Sequence, residues 1–198
     1  MRYVALGDSY TIGTSVDAVE RFPDQLARRI PGLELVANLG VNGYTTADLI
    51  RDELPALSGL APGFVTLLIG LNDVVQDIPL VTYEANVVKI FDVLLAAVPV
   101  DRLVIVSIPD YTVTPAGADY GDPSAKSAAI VDANSTMERL AGERGVPFVD
   151  IYDVSLGAAS DRSLVAADGL HPSGRQYAMW VERIEPVVDG LLGDRVAD

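Results

Sequence analysis

Serine hydroxyls, side-chain amides and a solitary imidazole are the groups in this chain best suited to chemistry. It has no cysteine and one histidine, His171. A thiol nucleophile, a disulfide and a thiolate metal site are therefore excluded, and any imidazole chemistry runs through one residue. A serine hydroxyl is a poor nucleophile until an adjacent base takes its proton, and that base needs a third group to hold its ring in one tautomer. Asp168 stands three residues before His171. Its carboxylate reaches the ring Nδ1 if Gly169 and Leu170 make a turn. Pro172 disfavours a helical conformation at His171 and keeps it extended or in a turn. Ser173 and Gln176 have the spacing of an S-x-x-Q capping box, so a helix can begin directly behind the base.

Ser9, in the segment Gly7-Asp8-Ser9-Tyr10, is the candidate nucleophile. Acyl transfer also requires donors aimed at the oxyanion of a tetrahedral intermediate, each contributing about 3 to 4 kcal/mol. The Ser9 N–H, the Gly43 N–H and the Asn72 side-chain amide are the candidates. Glycine at 43 permits close backbone approach, and Thr45-x-x-Asp48 offers a helix start just beyond it.

These residues need a scaffold that gathers them. Runs rich in Val, Ile and Leu recur at Tyr3 to Leu6, Leu33 to Ala37, Phe64 to Ile69, Leu103 to Ile108 and Pro147 to Val149, each bounded by turn-forming residues. They read as five short buried strands. Helical periodicity fills the gaps, around Phe22 to Ile30, from near Thr45, over Tyr83 to Val98, from about Ser124 to Arg144, and in a terminal helix. Tyr83, Val87, Phe91, Leu94 and Val98 form one stripe; Tyr177, Trp180, Val181, Ile184, Val188 and Leu191 form another. Both stripes read as core, Trp180 included. Strand and helix alternate, which predicts a single domain over 1–198: a three-layer α/β/α sandwich on a five-stranded parallel sheet of flavodoxin-like type. Ligands bind beyond the carboxyl ends of such strands, where Ser9, Gly43 and Asn72 fall. The segment Pro109 to Pro123, with Tyr111 and Tyr120, is longer than the common connections of about 4 to 6 residues and reads as a functional loop.

A formal net charge of −14, spread over the chain, disfavours nucleic acid and anionic membrane surfaces as partners. No apolar run approaches the roughly 20 residues of a membrane span. The N-terminal apolar run is too short for a signal-peptide core, so the expectation is a cytoplasmic enzyme with no stable membrane insertion.

Four ordered segments carry a resemblance. Gly7-Asp8-Ser9, Gly43-Tyr44-Thr45, Gly70-Leu71-Asn72-Asp73 and Asp168-Gly169-Leu170-His171-Pro172 resemble the blocks of the SGNH hydrolase superfamily, also called GDSL esterases and lipases. Each motif is weak alone; four in order at strand ends are strong. The resemblance implies Ser9 as nucleophile, Gly43 and Asn72 as oxyanion donors, and His171 as base oriented by Asp168. Gly40 lies in the same block as Gly43, which is preferred because it precedes a Thr-containing helix start. The implied substrate is a small-molecule carboxylic ester, lysophospholipid or thioester, cleaved with no cofactor and no metal. An ordinary α/β-hydrolase would carry G-x-S-x-G on a later strand; here Thr11 replaces the second glycine.

Plainer readings exist for each residue. Ser9 and Asn72 singly read as helix N-caps, Gly43 as a turn glycine, Asp168 as a capping carboxylate. Two other functions are compatible with the motifs: a metal-dependent phosphoester hydrolase using Asp8, Asn72, Asp73, Asp168 and His171, or an SGNH-fold binding module without catalysis.

Overall fold

The computed structural model describes residues 1–193; residues 194–198, the tail of the expected 1–198 domain, lie outside the described residues. Five strands form one parallel sheet: β1 (Arg2–Gly7), β2 (Glu34–Asn38), β3 (Phe64–Leu68), β4 (Leu103–Val106) and β5 (Phe148–Val149). Their order is β2-β1-β3-β4-β5, the doubly wound arrangement in which the chain leaves β1 in one direction and returns past it to β3. The crevice at that reversal is where open α/β sheets bind ligands. β3 and β4 are buried along their whole length, which is why both read as unbroken apolar runs rather than alternating ones. β3 ends one residue short of the expected Ile69 and β4 two short of Ile108, because there the chain turns from the sheet toward the site.

The helices follow the strands in sequence. The first turn after β1 is α1 (Ser9–Ile12), and α2 (Phe22–Arg29) leads into β2. After β2 come α3 (Thr46–Asp48), a π-helical turn at Leu49–Glu53, and α4 (Leu54–Leu60), one continuous rod whose pitch widens in the middle. Beyond β3 come α5 (Leu71–Val75) and α6 (Leu80–Ala97), beyond β4 comes α7 (Pro123–Gly142), and α8 (Tyr152–Leu156) and α9 (Gly174–Gly193) close the chain. α6 starts three residues before the expected Tyr83, just after Pro79 at its N-cap.

α2 packs on α9, whereas α6 packs on α4 and α7, so each group covers one face of the sheet. The α9 stripe supplies the first contact: Trp180 is fully buried, with its ring centroid 6.2 Å from Phe22 and 5.0 Å from Tyr177, edge-on to the latter. Tyr83, Val87, Phe91, Leu94 and Val98 are buried as their spacing requires, while Leu191 is only half-buried at the end of α9.

The segment between β4 and α7 is ordered from within. Buried Asp110 accepts from the Thr112 N–H (2.9 Å), the Ser127 hydroxyl (2.6 Å) and the Tyr152 hydroxyl (3.0 Å). A 3-10 turn at Gly117–Tyr120 then brings Tyr120 against Tyr111, with ring centroids 6.0 Å apart and planes nearly perpendicular.

Removing the aromatic wedge between α2 and α9 leaves a cavity that the sheet cannot fill. Trp180→Ala is expected to lower unfolding free energy by about 3 to 5 kcal/mol in urea titration, with the m-value unchanged.

Candidate active site

The site is built where β1 stops. Gly7 takes φ 150°, and a Cβ there would lie 2.1 Å from the Leu68 carbonyl oxygen and 2.3 Å from Thr11 Oγ1. Only glycine lets the strand turn between its neighbours at this point. Asp8, not Ser9, is the N-cap of α1, its Oδ1 accepting the Tyr10 N–H at 2.9 Å. Ser9 is thereby freed from the capping role its type alone suggests. Likewise Gly70 is the N-cap of α5 and Asn72 its second residue. Neither residue has the plain reading.

Ser9, Gly43, Asn72 and His171 line a single cavity of about 210 Å³, together with Leu71, Val75, Tyr111 and Leu170. Asp168 stands behind the imidazole. Its Oδ2 is 2.6 Å from His171 Nδ1, and its Oδ1 accepts the backbone N–H groups of Leu170 (2.9 Å) and His171 (3.0 Å). Gly169 has φ 77°, so the expected turn forms with glycine in the left-handed region. The other face of the imidazole is set by Tyr10, whose ring centroid lies 5.1 Å from that of His171. Five residues separated by up to 162 positions in sequence thus meet at one edge of the sheet.

The two glycines of the second block do different things. A Cβ on Gly40 would lie 2.7 Å from both the Asp8 carbonyl and the Ile12 amide nitrogen, and the Gly40 N–H donates to Asn38 Oδ1. Gly40 is a packing glycine that lets the loop lie against α1. Gly43 has φ 81°, nothing within 4 Å of its Cβ position, and a place in the cavity wall. Directly after it, Thr45 and Asp48 form a reciprocal capping box that starts α3. Among the described residues, neither the Ser9 nor the Gly43 N–H has a hydrogen-bond acceptor. The Asn72 amide is aimed by the Tyr44 carbonyl, which takes one Nδ2 hydrogen at 2.9 Å, while Asp8 Oδ2 lies 3.4 Å from the same nitrogen.

The capping box expected behind the base is only half made. Ser173 Oγ accepts the Gln176 N–H at 3.3 Å, but the Ser173 N–H donates to Leu164 O, and the Gln176 side chain is buried and donates to that same carbonyl. The histidine segment is therefore tied to a 3-10 turn at Arg162–Leu164 rather than to its own helix. An antiparallel bridge from Val165 to Pro172 completes the tie.

Two kinds of carboxyl surround the cavity. Burial raises Asp168, but hydrogen bonds from the Ser15 hydroxyl, the Leu170 N–H, the His171 ring and the His171 N–H outweigh it and hold the group down at about 2. An ionised carboxylate only accepts, so His171 Nδ1 carries a proton and donates it to Asp168, leaving Nε2 as the ring nitrogen on the other side. Asp8 and Glu53 are the reverse. Burial pushes Asp8 up to about 7, against the Tyr10 N–H and reinforced by Asp73. Burial likewise pushes Glu53 up to about 8, against the bond its Oε2 accepts from the Gly7 N–H and reinforced by Asp8. Asp73 is also raised by burial, and it holds the Thr46 N–H and hydroxyl at 2.8 and 2.5 Å.

Asp8 and Asp73 are spent on backbone and hydroxyl donors, and among the described residues no three His, Asp or Glu side chains gather as a metal cluster. Sequence reasoning missed four participants: Tyr10 against the imidazole, Tyr44 behind the amide, Glu53 beneath Gly7, and Ser15, which bonds Asp168. Tyr10 and Tyr44 sit within the quoted segments but not for a role their side-chain type announces, and all but Tyr10 act across long separations through a carbonyl, a carboxyl or a hydroxyl that many residue types could supply.

The parallel sheet in this order, with a serine at the end of β1 and a Asp–His pair ahead of the last helix, defines an α/β protein of the SGNH hydrolase type. The GDSL-like lipase/acylhydrolase family model matches residues 5–179, and the chain belongs to that family. Solved structures agree in fold at low identity. A lipolytic protein of the G-D-S-L family from Veillonella parvula is 17% identical with a TM-score of 0.76, covering 98% of this chain and 99% of that one. A lipase/acylhydrolase from Enterococcus faecalis is 23% identical with a TM-score of 0.73, covering 96% and 95%. A catalytic mutant of an acetylxylan esterase from Geobacillus stearothermophilus is 17% identical with a TM-score of 0.73, covering 94% and 93%. No curated protein sequence matches the chain. No helix among the described residues is long and apolar enough to cross a membrane.

A carboxyl that stays protonated in the fold after the unfolded chain has ionised costs stability as pH rises. For Glu53 the window runs from an unfolded value of about 4.3 to about 8. Glu53→Gln removes that cost, so its melting temperature relative to wild type should climb between pH 5 and pH 8, read by differential scanning calorimetry. Asp168 has the opposite sign: its contribution is present above about pH 4 and lost as pH falls toward about 2.

Proposed function

We propose that this chain is a serine esterase that hydrolyses small, uncharged carboxylic esters through an acyl-enzyme on Ser9. The observation that carries the reading is the shared cavity of Ser9 and His171, with Nε2 of His171 on the side away from Asp168. In this reading Ser9 Oγ attacks the acyl carbonyl as its proton passes to His171 Nε2. The carbon–oxygen bond to the leaving group then breaks, and the same proton goes to the departing alcohol. Water attacks the acyl-enzyme by the same route, giving its proton to His171 and releasing the acid as Ser9 recovers its hydrogen. Asp168 fixes the ring. The Ser9 and Gly43 N–H groups, which have no acceptor among the described residues, and the second Asn72 amide hydrogen supply the oxyanion hole.

Size and polarity bear on the substrate. A cavity of about 210 Å³ falls below the roughly 300 to 1,000 Å³ typical of sites for drug-sized ligands. Its wall holds no carboxylate, lysine or arginine side chain, with Leu71, Val75, Leu170 and Tyr111 as the apolar surface. A short acyl group on a neutral alcohol suits that wall better than a phosphate-bearing ester. The acetylxylan esterase and the lipase/acylhydrolase among the structural neighbours fit the same ester class.

Ser9→Ala should abolish hydrolysis of p-nitrophenyl acetate with the melting temperature unchanged, and activity should survive chelation by EDTA. Retained turnover in the Ser9 variant would end the proposal. Asn72→Ala should lower kcat by about 10² to 10³-fold with little change in KM, as loss of one oxyanion donor does. Tyr120 lies half-exposed at the cavity mouth, so Tyr120→Ala should shift preference toward longer acyl chains across a p-nitrophenyl ester series. An unchanged chain-length profile would remove the 109–123 segment from the acyl pocket.

A further inference from the structure

Three residues other than glycine have positive φ among the described residues: Ser15 (67°), Ala61 (45°) and Asp77 (56°). Two have local explanations. Ala61 is the left-handed C-cap of α4, and Asp77 holds the buried Lys126 ammonium at 2.8 Å. Ser15 caps no helix. It follows Gly13, the left-handed C-cap of α1, in a turn whose Gly13 and Thr14 N–H groups both donate to the carbonyl of Ser9 at 3.0 Å. The Ser15 hydroxyl donates to Asp168 Oδ2 at 2.6 Å, the same oxygen that faces His171 Nδ1. The residue before it reaches the other side of the site: the Thr14 hydroxyl donates at 2.6 Å to Asn42 Oδ1, beside Gly43.

Resting on the serine esterase reading above, we propose that Ser15 is a positioning residue that locks Asp168, and through it the His171 tautomer, to the turn carrying the nucleophile.

Backbone in a region costly for serine is retained where the surroundings require it, and such positions cluster at functional sites. Here the strained φ points the short side chain across 153 residues of sequence to the carboxylate. Ser15 is exposed, so water can reach Asp168 and satisfy its lone pairs. What water cannot supply is a fixed connection to the Ser9 turn. The two remaining bonds to the carboxylate, from Leu170 and His171 N–H, both end on Oδ1 and come from Asp168's own loop. Without Ser15 the carboxylate keeps the Oδ1 bonds of its own loop, but Oδ2 loses its tie to the Ser9 segment and is free to turn away from Nδ1–H. The hydroxyl also helps hold Asp168 low, keeping it an obligate acceptor for Nδ1–H.

The test uses the fact that the chain has one histidine. Protein labelled with ¹⁵N-histidine gives a single pair of ring signals, read in the wild type, Ser15→Gly and Ser15→Ala. Glycine suits the positive φ and removes only the hydroxyl; alanine keeps the Cβ and the strain. Both variants should show a mixture of ring tautomers where the wild type shows Nδ1–H, and both should lose kcat about tenfold with KM unchanged. A Ser15→Gly protein with wild-type ring shifts and wild-type kcat would overturn the proposal, because the backbone conformation would then be the only requirement. If the wild type fails to turn over esters, the esterase reading fails instead, and the ring signals still decide the Ser15 tie.

Discussion

The exit of the chain from β1 at Gly7 is the constraint on which the rest of the site depends. β1 lies between β2 and β3, so its end has a backbone on either side, and the Leu68 carbonyl and Thr11 hydroxyl occupy the space a side chain would need. Turning there places Ser9 at the start of a helix one residue beyond its cap. The loops after β2 and β3 then have no choice of side: both emerge beside that turn, and Gly40 packs directly against it. Gly43 and Asn72 arrive in the cavity as a consequence of strand order.

Charge is distributed around this point in an instructive way. The chain as a whole is strongly acidic, yet Asp8 and Glu53, beside Ser9 and Gly7, are pushed toward their neutral forms by burial, and Asp168, which stays ionised, is partly exposed and surrounded by donors. That ionised carboxylate stands directly behind the imidazole, 2.6 Å from Nδ1, and fixes the ring. The burial of Asp8 and Glu53 is also a cost to folding as pH rises, so stability and site polarity are coupled through them.

The strands and long helices were legible because burial on one or both faces imposes periodicity on residue type. Boundaries moved by one to three residues where the local signal is shared: Ile69 and Ile108 are apolar and buried without belonging to a strand, and α6 gains an extra turn from Pro79 that its apolar stripe does not mark. The π-helical turn at Leu49–Glu53 had no signature at all. Its effect is to bring Glu53 beneath Gly7, a contact decided by how the rod packs on the sheet. Ser173 and Gln176 had the spacing of a capping box, but Leu164 competed for Gln176 and won because that side chain is buried.

For this protein the sequence alone determined the residue types that chemistry requires and the order in which they occur. One histidine, one serine after the first strand and an aspartate three residues before the histidine leave few alternatives for proton transfer, and these choices rest on functional groups that only those side chains carry. The tertiary structure decided which glycine opens into the cavity, what aims the Asn72 amide, and what ties Asp168 to the turn that follows Ser9. Those roles fall to a backbone N–H, the Tyr44 carbonyl and the Ser15 hydroxyl. Every residue but proline has the first and every residue has the second, and ten other positions along the chain carry a serine, so only their placement in space distinguishes them.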